Sequence, residues 1–186
     1  MKKIIFIVAI IVFSMSLICC TSFKENMIKE RVSQLNLKDD RAVADECFER
    51  IMECIKNTDK EGLKEMFASN ALKEAENIDV GIDYVMDFYK GKIQSKDAAL
   101  QVSDHNDHGE KTSEIKAFYT VETNEGTYIV FFIDNTVDIK NANNVGLYML
   151  QIIKECDEDN EFDWGGKKTR CAGIYMPDSE KQQITE

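Results

Sequence analysis

The sequence predicts an α+β fold, helices packed on an antiparallel sheet, and three observations predict it. Apolar residues recur with a helical period from Val43 to Tyr89, they alternate with a period of two from Ile115 onward, and turn residues separate the alternating runs. Helices gathered ahead of an antiparallel sheet are the order of an α+β domain.

In the helical half, Val43, Ala44, Cys47, Phe48, Ile51, Met52 and Ile55 fall on one stripe, with Asp45, Glu46, Glu49, Arg50 and Glu53 opposite. This is an amphipathic helix opening near Asp40. Thr58 and Glu61 have the spacing of a capping box and predict a second helix through Leu63, Met66 and Phe67. Ser69 to Ala75 reads as a third. Asp79 is the expected N-cap of a fourth, which carries Ile82, Val85, Met86 and Tyr89 and stops at Gly91.

The sheet half opens with a short strand around Ala99 to Val102 and a polar loop. Ile115, Ala117, Tyr119 and Val121 then alternate with Glu114, Lys116, Thr120 and Glu122, giving a strand with one wet face interrupted by Phe118. After the turn Asn124-Glu125-Gly126, the run Thr127 to Ile133 is apolar on both faces and reads as central. Val145 to Ile153 follows the loop 140–144 as a further strand. Cys47 and Cys54 are read as core residues of the first helix. Cys156 and Cys171 flank an acidic stretch and are a candidate disulfide if their segments pair as neighbouring strands.

Ahead of the domain, Lys2-Lys3, the apolar Ile4 to Phe13 and a short region with Ser14 and Ser16 are the three parts of an export signal. Leu17-Ile18-Cys19-Cys20 then resembles the bacterial lipobox, whose cysteine thiol takes a diacylglycerol before cleavage, and Cys20 fits that thiol better than Cys19 does. The competing reading is an uncleaved anchor, since no charge stands between Ile4 and Phe23. Both export the domain, because Lys2 and Lys3 hold the N-terminus on the cytoplasmic side. The expected organisation is a signal peptide over residues 1–19, a tether over 20–39, one domain over 40–178 and a polar tail over 179–186, on the outer face of the cell membrane.

The chain of 186 residues carries a net charge of −11, and the leader removes two of its lysines. That balance excludes nucleic acid as a partner, where Lys and Arg must neutralise phosphates. It equally excludes a polybasic grip on anionic lipid, so the acyl chains are the expected membrane partner.

The helix followed by Asn57-Thr58-Asp59 and then by Leu63, Met66, Phe67 and Ala68 resembles the opening of nuclear-transport-factor-2-like, or cystatin-like, cone domains. Lys111 to Lys116, Phe131 to Asp134, Asn144 to Tyr148 and Gly173 to Pro177 together resemble a family of Gram-positive lipoproteins of unknown function. The resemblance covers most of residues 40–177. It implies N-terminal helices on a strongly curved sheet and a surface location, and it brings no activity, substrate or catalytic residues.

Candidate sites rest on the residues themselves. Asp104-His105-Asn106-Asp107-His108 is dense in donors, but read as a calcium loop it puts His108 at position five and Ile115 where a bidentate Glu is needed, so it is taken as a solvated loop. Asp157 to Asp163 lacks the turn glycine and is read the same way. Asp134 is a carboxylate inside the most apolar strand, and it lines a wet pocket or else sits at the strand end bonding Asn135 and Thr136. Tyr84, Tyr119, Tyr148 and Trp164 join Asp134 as candidate pocket walls. GxSxG, GxxxxGK[ST] and GxGxxG do not occur, and no catalytic residue, metal site or cofactor is assigned. These features favour a non-catalytic lipoprotein that binds a small molecule or partner. The alternatives are a cone-fold dehydratase, isomerase or hydrolase using a pocket carboxylate, and an interaction module built on the outer sheet face around Phe118.

Overall fold

The computed structural model describes residues 39–107 and 110–177. The signal peptide, Cys20, most of the tether, His108 and the tail 179–186 lie outside the described residues.

Helix α1 (Asp40–Asn57) buries Val43, Ala44, Phe48, Ile51, Met52 and Ile55 on the stripe that the sequence marks. Cys47 and Cys54 are half-buried at its margins rather than in the core. The helix ends with Thr58 N–H donating to the Ile55 carbonyl at 3.1 Å and Asp59 N–H to that of Cys54 at 2.8 Å, the paired bonds of a Schellman motif. Thr58 takes the left-handed position there, with φ 54°, which is unusual for a β-branched residue. A residue folded back to end one helix cannot also be the extended cap of the next. Asp59 therefore caps α2 (Lys60–Glu65), accepting from Gly62 N–H at 2.9 Å, in place of the predicted Thr58. α3 (Ser69–Glu74) follows, and α4 (Ile78–Phe88) is capped by Asn77, which accepts from Val80 N–H. Asp79 pairs with Lys64 at 2.7 Å instead of capping.

The strands are β1 (Ile93–Asp107), β2 (Glu110–Thr123), β3 (Gly126–Asp138), β4 (Gly146–Lys154) and β5 (Gly173–Tyr175), and they form one sheet in chain order. The first three junctions are antiparallel and β5 runs parallel to β4, so the sheet is mixed rather than wholly antiparallel. A parallel return needs a long crossover, and residues 155–172 provide it. The sheet is open, with β1 and β5 as edges, and is neither closed nor strongly curled. This corrects the strongly curved cone: three residues of β5 give too little edge for closure onto the long β1.

β1 is also far longer than the expected strand at 99–102. It keeps register with β2 from Lys96 opposite Val121 to Asp107 opposite Glu110, so Asp104, His105 and Asn106 lie on a strand and not in a loop. An edge strand that is wet on both faces has no alternation to reveal it.

Two layers cover the sheet. On the helical side, Ile115, Ala117, Tyr119 and Val121 of β2 are fully buried, and Tyr119 stacks on Phe48 of α1 at 4.2 Å between ring centroids. On the opposite side, Ile129, Phe131, Ile133, Met149 and Ile153 pack with Phe118, Phe162 and Tyr175. A short α5 (Glu158–Glu161) and the segment after it form that cover, so β3 is buried on both faces. Phe118, expected on a wet face, is half-buried beneath Phe162 and Trp164 at 5.0 and 5.5 Å.

The helical layer is also joined to the sheet backbone to backbone. Phe67 bridges Leu147: Ala68 N–H donates to the Leu147 carbonyl at 2.9 Å and Leu147 N–H to that of Met66 at 3.0 Å. Gly146, at φ 126°, permits this approach, since a Cβ there would stand 3.0 Å from Ala68 N and Met66 O. Among the described residues no helix is long and apolar enough to cross a membrane.

Candidate functional site

The five candidate pocket residues stand on two sides of the sheet and do not share one pocket. Tyr84 of α4 is buried against β4, its hydroxyl donating to the Ile152 carbonyl at 3.4 Å. Tyr119 is fully buried under α1, and its hydroxyl donates to Asp45 at 2.9 Å. Burial first, then the hydrogen bond and charge of Asp45, push that phenol far above the usual tyrosine range. The helix-facing space is filled by rings, with Phe48, Tyr119 and Phe132 in succession and Tyr89 against Tyr128.

Asp134 is 4% exposed and sits at a register shift in the β3–β4 pairing, opposite Ile115 and Leu147. β3 runs on to Asp138, so Asp134 does not end the strand. That role falls to Asp138, which accepts from Asn141 N–H at 2.9 Å and from the Asn144 side chain at 2.8 Å. Tyr148 and Trp164 belong to the other side. The Arg170 guanidinium lies 4.9 Å from the Tyr148 ring centroid, and Trp164, 37% exposed, stacks on Phe118.

Cys156 and Cys171 are both thiols and are not bridged to one another. Their segments are neighbours, but in parallel. Met149 faces Gly173, so Cys171 lies near the level of Leu147, while Cys156 lies beyond the end of β4. From Leu147 to the end of β4 at Lys154 alone, strand rise gives roughly 23 Å, far beyond disulfide reach.

What the fold does assemble is a cleft of about 730 Å³ that the sequence reading missed. One wall is the end of α3 and the start of α4, from Glu74 to Val80, and the other is the chain from Lys168 to Met176 that leads into and past β5. Gly173, at φ 86°, permits the close approach of the two segments, since a Cβ there would stand 2.8 Å from the Cβ of Ala75.

The second wall is built on one carboxylate. Asp163 accepts from Gly166 N–H and Lys168 N–H, each at 2.9 Å, and from the Thr169 hydroxyl. Burial works against its charge, but the Thr169 hydroxyl and the N–H groups of Lys168, Gly166 and Thr169 outweigh it and hold the carboxyl below its usual range. Within this loop Trp164 and Gly165 are both left-handed, at φ 57° and 60°, and Gly166 N–H closes on the Asp163 carbonyl at 3.1 Å, a type I′ turn. Arg170 is then fixed by Glu114 of β2 at 2.8 Å.

The cleft is thus lined by Lys168 and the Glu114-paired Arg170 from one segment and by Glu74 and Glu76 from the other, together with Ile78, Val80 and Ile174. A lining that mixes both charges with apolar side chains suits a ligand that carries both signs. In sequence, the two walls are only charge runs about ninety residues apart; the one local signal was the Asp163 to Gly166 turn beside Lys167, Lys168 and Arg170. A second, smaller cavity of about 160 Å³ is lined by Tyr84, Phe88, Ile153, Asp157, Glu161 and Pro177 among others.

A profile of the family described as a domain of unknown function, DUF5104, matches residues 50–155, more than half of the chain. The matched span covers the first wall of the cleft and stops short of the second. No curated protein matches the chain.

Proposed function

Because the chain belongs to the DUF5104 family, whose description states no activity, we propose from its residues alone that it is an extracytoplasmic lipoprotein, anchored through Cys20, with a non-catalytic binding domain. Its site is the cleft between residues 74–80 and 168–176, and its ligand is a short polypeptide or other small molecule bearing both charges. The observation that carries this reading is that Lys168 and Arg170 line one cleft with Glu74, Glu76 and the apolar Ile78, Val80 and Ile174. Two features support binding over catalysis: the space beneath the helices is filled by aromatic rings, and the buried carboxylate Asp134 lines neither of the two cavities described above. The anchor is supported by the Leu17-Ile18-Cys19-Cys20 segment.

Thermal denaturation of the purified chain against short peptides holding one lysine and one glutamate tests the site. Melting is expected to rise with such peptides in the wild type and not in Lys168→Glu, and no response across the panel at millimolar concentration overturns the assignment. Incorporation of radioactive palmitate in a bacterial host tests the anchor, with loss of label expected in Cys20→Ala; undiminished label sinks it.

A further inference from the structure

We infer that the free edge of β1 pairs antiparallel with the β1 of a second copy of this chain, centred on Leu100, to make one sheet continuous across a two-fold axis. The edge is long, and among the described residues the contact seen at its middle is the Arg41 guanidinium on the Ala98 carbonyl. β1 spans Ile93 to Asp107, its one irregularity lies between Ile93 and Ser95, and the stretch Ala98 to Val102 carries no charge, proline or bulge. Native edges are normally blunted by those devices. Val102 is 36% exposed.

The backbone polarity follows from the ladder. Asn124 N–H donates to the Lys92 carbonyl, which makes those two residues a bonded pair, and after the irregularity Ser95 faces Glu122. From there the odd-numbered residues of β1 bond to β2, and Lys96, Ala98, Leu100, Val102 and Asp104 turn their N–H and C=O groups outward. The Ala98 carbonyl is observed on that side, accepting from Arg41 at 3.2 Å, and a carbonyl keeps a second acceptor position.

The same five residues read as a palindrome in chemistry. In an antiparallel pairing centred on Leu100, Lys96 meets Asp104 of the second copy, Ala98 meets Val102, and Leu100 meets itself, with the ion pair repeated by symmetry at the other end. Each of these is an outward-facing residue opposite another, as hydrogen-bonded pairs require. On the other face Ser95 meets His105, Asp97 meets Ser103 and Ala99 meets Gln101, so no like charges oppose. A shift of two residues along the strand loses both Lys96–Asp104 pairs. The charges that flank the apolar centre therefore specify both partner and register. Such an isologous contact is the commonest closed assembly.

Sedimentation equilibrium of the full chain in a non-ionic detergent tests this, with hydrogen exchange at the outward amides. A dimer is expected, with the Ala98, Leu100 and Val102 amides protected when associated and exchanging on dilution. Leu100→Pro removes an outward N–H that β2 does not use; it is expected to leave a folded monomer. Because a proline also restricts the strand's own backbone, charge reversal gives an independent reading. Lys96→Glu and Asp104→Lys each weaken the dimer by about tenfold, and the double variant restores it. Lys96 also pairs with Glu49 within the chain, so each variant's melting temperature is read alongside. A monomer at all concentrations, protection of these amides that is independent of concentration, or a dimer indifferent to all three single variants overturns the inference.

Discussion

The two faces of this sheet are covered by different means. On the helical face, α1 presents an apolar stripe and Phe48 stacks on Tyr119, which stacks in turn near Phe132. On the other face, among the described residues, the cover is a four-residue helix and an irregular segment held in shape by Asp163 and pinned by Phe162 and Trp164. The first cover is stabilised by apolar area and depends little on any one polar group. The second concentrates its geometry in a single carboxylate, because an irregular backbone must find hydrogen-bond partners that a helix supplies internally. The two also differ in what they do: the helical side is filled, whereas the irregular side supplies a wall of the charged cleft.

This contrast can be broken most strongly from the helical side. Phe48→Ala removes a fully buried ring and is expected to cost about 4 kcal/mol by urea denaturation, while Phe162→Ala, at a half-buried position, costs about half as much. Equal losses would show that both faces rest on packing alike. The next largest effect belongs to Asp163. Asp163→Ala is expected to cost about 2 kcal/mol, since it leaves the donors of Gly166, Lys168 and Thr169 without their acceptor. Because the folded carboxyl titrates below its unfolded value, its contribution is complete above about pH 4 and is lost as pH falls through the depressed value. The gap between wild type and Asp163→Asn should accordingly narrow at acid pH, and a gap that stays constant contradicts the role.

The smallest effects come from two left-handed residues, one in each layer. Thr58→Gly relieves backbone strain at an exposed side chain and is expected to stabilise by about 1 kcal/mol. Trp164→Gly relieves the same kind of strain but removes a ring that packs on Phe118, Phe131 and Phe162, so its net sign is expected to be destabilising. Melting temperatures of the two variants check both signs.

The same contrast decides what the sequence could reveal. The stripe from Val43 to Ile55 and the alternation from Ile115 to Val121 are legible because burial on one face imposes a period. β1 is wet on both sides, so its fifteen residues carry no period and only the part near Ala99 to Val102 stands out. Helix ends were legible to within a residue or two: Asp59 and Asn77 do the capping that Thr58 and Asp79 appeared fit for, since either neighbour has the right oxygen and only the backbone angle chooses. The direction of β5 was not legible, as three residues have no pattern, and the expectation for Cys156 and Cys171 fell with it. The proposed pocket walls do not come together, Tyr84 alone lining one of the two cavities described, for a related reason. Aromatic residues were selected by type, whereas strand parity and the crossover send Tyr119 to one face and Trp164 to the other.

The bridge between Phe67 and Leu147 has a consequence for how the domain comes apart. Two amide hydrogen bonds tie the link between α2 and α3 to the start of β4, at a glycine that admits no side chain. The helical layer therefore cannot peel away while leaving the sheet intact without first exposing those amides. Unfolding of both layers should proceed as one cooperative unit, and the amides of Leu147 and Ala68 should exchange only with the slowest, global opening of the chain.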